Sequence, residues 1–162
     1  MATENNIVDI NLSAIQKKKF RIDGDDSRIV ELNTSDTRIL GRMREVYPKL
    51  NDLIERMGTI TDGVEESTDV TDELNSAGIM AERLEAIDKE MRDLVDYLFD
   101  TKISDIVAPD GSMYDLFNGV FRFEHIISIF IGLYEENMTE EFKKMQNQIK
   151  KHTAKYTKKY TK

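Results

Sequence analysis

Two histidines and no cysteine leave this chain little nucleophile or metal chemistry. A hydrolytic nucleophile needs a base and an orienting group beside it, and a structural zinc site needs about four Cys or His ligands. His125 follows Glu124 at the start of an apolar run and reads as a partly buried structural side chain, whereas His152 sits among lysines and reads as solvated. Asp23-Gly24-Asp25-Asp26 has the composition of part of a calcium loop. It lacks the alternating ligands and the closing bidentate Glu, so it reads as a turn. Glu135-Glu136 and Glu140-Glu141 read as a solvated helix face, not as a paired-carboxylate centre. The eight glycines are scattered, with no G-x-G or P-loop spacing. No enzyme activity, metal or cofactor is expected from these residues; they point to function through binding.

Charge carries more information. The net charge of −8 averages two opposite regions. Residues 143–162 hold eight lysines, His152 and no acid, which leaves 15 basic and 31 acidic side chains in residues 1–142, a net of −16. Lys143, Lys144, Lys150, Lys151, Lys155, Lys158 and Lys159 are therefore the candidate partner-binding cations, with Tyr156 and Tyr160 interleaved. Such a segment can neutralise phosphates and stack on bases. It has no arginine and no recognition motif, and the acidic body repels nucleic acid. Protein partners are favoured, among them an acidic face of a neighbouring copy reached head to tail with steering by charge. Nucleic acid and a purely solubilising tail are the weaker alternatives.

These residues must be positioned by elements that the hydrophobic pattern predicts. Residues 1–18 show no sustained period and read as a flexible arm. Phe20-Arg21-Ile22, the Asp-Gly turn and Ile29-Val30-Glu31-Leu32 predict a β-hairpin over 19–33, because glycine accepts the positive φ of a tight turn. A two-stranded hairpin is marginal alone. Pairing between copies through Phe20, Ile22, Ile29 and Leu32 is the expected self-association contact. Thr34, Ser35 and Asp36 are N-cap candidates for a helix over about 35–57 with an apolar stripe at steps of three and four. Pro48 is expected to kink or divide it. Residues 58–72 read as an acidic loop.

A second helix over about 72–100 carries Leu84, Ile87, Met91, Leu94 and Leu98 at heptad spacing, extended backwards by Ala77 and Met80. A third, over about 121–151, begins with an apolar half from Phe121 to Tyr134 and thins to Met138, Phe142, Met145 and Ile149. The twin tetrapeptides Lys155-Tyr156-Thr157-Lys158 and Lys159-Tyr160-Thr161-Lys162 close a tail over 153–162 that reads as disordered. The expected fold is mainly α: an N-terminal hairpin, then three long helices packed as one bundle-like domain over 19–152, with a basic flexible tail. The most apolar run, Ile126 to Tyr134, is far short of the roughly 20 residues of a membrane span. No leader is visible, so a soluble intracellular protein is expected.

Two stretches resemble a known family. One is Leu12-Ser13-Ala14-Ile15-Gln16-Lys17-Lys18-Lys19-Phe20-Arg21-Ile22-Asp23-Gly24-Asp25, continuing through Glu31-Leu32-Asn33-Thr34-Ser35-Asp36. The other is Phe117-Asn118-Gly119-Val120-Phe121-Arg122-Phe123-Glu124, continuing through Leu133-Tyr134-Glu135-Glu136-Asn137 to Lys150-Lys151-His152-Thr153-Ala154-Lys155-Tyr156. Together they resemble a tail assembly chaperone from the tail-morphogenesis module of tailed phages and prophages of Gram-positive bacteria. The resemblance implies a non-enzymatic helical protein in the bacterial host cytoplasm that self-associates, coats the long tape-measure protein and recruits the major tail protein. It also implies a longer frameshifted form, for which the Lys pairs at 143–144, 150–151 and 158–159 are possible slippery sites. A structural component retained in the virion and a phage-encoded binder of nucleic acid or a host factor are the rival readings. The methionines Met43, Met57, Met80, Met91, Met138 and Met145 offer adaptable contacts to a client, though most are expected in the chain's own core.

Overall fold

The structure, a computed structural model, describes residues 6–10, 17–64 and 69–160. Most of the expected N-terminal arm and the last two tail residues lie outside the described residues. The protein is mainly helical, with a hairpin ahead of long helices.

Strands β1 (Lys18–Ile22) and β2 (Asp25–Leu32) pair antiparallel around Asp23 and Gly24, whose φ angles of 51° and 69° give the doubly left-handed turn that Asp-Gly favours. Phe20 pairs with Val30, and this inner face packs on the core with Ile22 and Leu32. The outer face is polar: Lys19 meets Glu31 at 3.6 Å and Arg21 meets Asp26 at 3.0 Å. The hairpin thus gains its stability by covering helices, as a lone two-stranded sheet must.

Helix α1 (Ile39–Gly58) buries Ile39, Val46, Leu50 and Leu53. It starts later than position 35, because residues 34–38 form turns in which Asp36 Oδ1 accepts the backbone N–H of Arg38 at 3.1 Å. The N-cap is Arg38, which makes no side-chain cap bond, so none of the expected candidates Thr34, Ser35 and Asp36 is the cap. The helix is continuous through Pro48, where the sequence predicts a kink or a break. Pro48 and Arg44 both lie on the exposed side, so the Arg44 carbonyl that proline deprives of a donor faces water.

Helix α2 (Val70–Phe99) is capped by Asp69, whose side chain accepts from Thr71 N, and ends at Asp100 in the left-handed conformation. Its second half buries Ile87, Met91, Val95, Leu98 and Phe99. It runs antiparallel to α1: Arg42 Nε reaches the Leu98 carbonyl at 2.8 Å, Arg56 meets Glu90 at 2.7 Å, and Arg83 Nη1 reaches the Ile60 carbonyl at 2.8 Å. A short helix α3 (Ser104–Val107), absent from the sequence expectation, is pinned by Asp96, which accepts from the N–H groups of Ile103 and Ser104 at 2.9 and 2.7 Å. Buried polar groups require such partners. Arg92 donates to the carbonyls of Ala108 and Gly111, and Arg28 donates to that of Ile106. These guanidiniums hold the 104–111 connection against α2 and the hairpin.

Two-residue strands β3 (Leu116–Phe117) and β4 (Val120–Phe121) turn at Asn118 and Gly119, φ 52° and 78°, repeating the hairpin chemistry in miniature. Helix α4 (Arg122–Tyr160) then buries Phe123, Ile126, Ile127, Phe130 and Tyr134, with Phe99 in ring contact with Phe130 and Tyr134 at 5.4 and 6.0 Å. It extends past position 151, so residues 153–160 are helical where the sequence predicts a disordered tail. No Gly or Pro follows Gly132 to stop it.

Candidate protein-binding surfaces

Glu135, Glu136, Glu140 and Glu141 are exposed along α4; Asp23 and Gly24 form the β1–β2 turn, and Asp25 and Asp26 open β2. His125 is exposed, not partly buried; its ring lies 6.4 Å from that of Phe117, at the edge of a groove. The side chain of His152 lies outside those described.

That groove, about 650 Å³, is the largest concave apolar feature among those described. Three elements wall it: the β1–β2 tip through Ile22 and Asp23, α3 through Val107, and the first turns of α4 through Ile126, Ile129 and Phe130. The β3 strand forms its lip. Leu116 and Phe117 are 67% and 66% exposed, and Val120 and Ile129 are exposed beside them. Arg122 N and Phe123 N donate to the carbonyls of Asp115 and Met113 at 2.8 and 2.9 Å and anchor the hairpin base. Arg21 and Arg122 add a cationic rim, offset by Asp23 and Asp115. An apolar floor with a polar rim is the pattern that receives one face of an amphipathic segment.

The four residues expected to mediate self-association do not share a surface. Leu32 is 1% exposed and belongs to this chain's own core, and Phe20 and Ile22 are half-buried against it. Ile29 lies on the opposite, outer face. The period of two in a strand separates position 29 from position 32, and the helices occupy the inner face. Of the basic residues, Lys143, Lys144 and Lys151 are exposed on α4, with Lys144 3.4 Å from Glu141. Lys150, Lys155, Lys158 and Lys159 lie along the same helix.

Sequence reasoning passed over Leu116, Phe117, Val120 and Ile129. The signal was the Asn-Gly dipeptide between apolar pairs, which marks a hairpin tip. Among the described residues no group of three or more His, Asp or Glu side chains is placed to hold a metal, and no helix is long and apolar enough to cross a membrane. Comparison with protein families, with characterised proteins and with solved structures finds no match to this chain.

Proposed function

We propose that this chain is a tail assembly chaperone of the phage type, which self-associates and shields a long helical tape-measure protein before the tail tube encloses it. The reading rests on the sequence resemblance, and the exposed lip of the 650 Å³ groove supports it: Leu116 and Phe117 stand in water with no partner from their own chain's core. Contiguous exposed apolar surface beside a groove marks an interaction site. A client helix would set residues at i, i+3 and i+4 into it. The test is co-expression with the tape-measure protein encoded nearby. The client becomes soluble and co-purifies with the intact chain, and capture falls at least tenfold for Phe117→Glu. A client that stays insoluble, with nothing co-purifying, overturns the reading. A large, salt-sensitive mobility shift with generic DNA, reaching nanomolar affinity, would instead favour a nucleic acid contact through the lysines.

A further inference from the structure

The two ends of the molecule are complementary. Because α1 and α2 are antiparallel, with Arg42 beside Leu98 and Arg83 beside Ile60, the first half of α2 extends past the C-terminus of α1 at one end. Residues 70–82 project there for about 20 Å at 1.5 Å per residue. At the other end, Asn137 of α4 is buried between Lys18 and Ser35, donating to Ser35 Oγ at 2.8 Å and accepting from Lys18 Nζ at 2.7 Å. Beyond it α4 continues from 138 to 160, about 35 Å further.

Both projections carry apolar residues at helical spacing in the sequence. On α2, Val70, Leu74, Ala77, Ala81 and Leu84 recur at steps of four, three, four and three, and Val70 and Leu74 are each 68% exposed. On α4, the positions Met138, Phe142, Met145 and Ile149 recur at four, three and four. These are the intervals at which two helices interlock side by side. The ends also differ in sign. Residues 62–73 hold six acids and no base, and residues 143–162 hold eight lysines and no acid. Since the ends face away from each other, a chain cannot satisfy both within itself.

We propose that the occupant of the α2 stripe is the basic half of α4 from a second copy, giving head-to-tail association. This deepens the self-association part of the proposed function by assigning its two surfaces, and it moves that role from the hairpin to the helix ends. Such a contact is heterologous: a joined pair of copies keeps one free acceptor and one free donor between them, so the assembly grows as a ring or a filament.

The test needs only the full-length chain, without client. Val70→Glu/Leu74→Glu breaks the acceptor and Lys143→Glu/Lys144→Glu/Lys151→Glu breaks the donor; all are exposed sites, and circular dichroism checks that helicity is kept. Light scattering should show the native chain above its monomer mass of 18.8 kDa, falling toward it as salt rises. Each variant alone should lose that association. Mixed, the two should form a one-to-one complex of twice the monomer mass, because the first retains its donor and the second its acceptor. Two results overturn the proposal: association that survives in either variant alone, or a mixture that stays monomeric. Failure of client capture with this complementation intact would sink only the chaperone reading.

Discussion

At the scale of single residues, charge is used mainly to tie chain segments together. Asp36 is the clearest case. Its Oδ1 accepts from Arg38 Nε at 2.8 Å and its Oδ2 from Arg42 Nη2 at 3.2 Å, and its side chain is only 9% exposed. The Arg38 guanidinium, more than the partial burial that opposes it, holds the carboxyl down from 3.8 to about 2. The unfolded chain takes up this proton near its ordinary value, while the folded chain resists until about pH 2. The contribution is therefore fully present above about pH 4 and is lost as pH falls through 2. Asp36→Asn should destabilise the fold by about 1–2 kcal/mol at neutral pH, since the largely buried Arg42 guanidinium loses its charged partner. Urea denaturation of both proteins across pH 7 to 2 checks it: the gap should close at the acid end, and a gap independent of pH would refute the electrostatic cause. Tyr134 is the alkaline counterpart. Burial pushes its phenol up to about 12, so its contribution is lost as pH rises from 10 to 12.

At the scale of elements, the same two-residue turn serves two purposes. Gly24 and Gly119 both have φ above 65° with open space where a Cβ would stand, so an alanine at either meets conformational strain and no clash. The strain costs about 1–2 kcal/mol. The β1–β2 hairpin covers the core with Val30 and Leu32, so Gly24→Ala should lower Tm by about 2–8 °C. Of the β3–β4 hairpin only Phe121 packs against the core, and only in part, so Gly119→Ala should lower Tm less than Gly24→Ala while hydrogen exchange at 116–121 speeds up. Equal Tm losses would mean that β3–β4 is part of the cooperative core. What the sequence made legible follows the same division. Long periodic stretches with caps, such as α2 after Asp69, were readable because burial of one face dictates their pattern. The first hairpin was readable because alternation flanks its turn on both sides. The second was not, since two residues per strand leave no period to detect. Nor was α3, whose reason to exist is the distant carboxylate of Asp96. The groove depends on where three elements meet, which no single window of sequence contains.

At the scale of the whole molecule, the buried core and the exposed groove lip are different surfaces, and the part each plays can be measured separately. Exposed side chains contribute little to folding, so replacing Leu116 and Phe117 by serine should change stability by less than about 0.5 kcal/mol. Phe123, 2% exposed at the head of α4, is the control: Phe123→Ala leaves a cavity and should cost about 3–5 kcal/mol. Both changes are expected to reduce capture of a helical client, but by different routes. The serine variant would lose capture at every temperature below its unchanged melting point, whereas the alanine variant would keep capture in the cold and lose it as it unfolds. Thermal denaturation paired with co-purification at two temperatures separates them. If the serine variant captured client as well as the native chain, the groove lip would be irrelevant to binding. The client surface would then have to lie on the helix ends, where it would compete with association between copies. In that case, adding client should dissociate the chain's own oligomers.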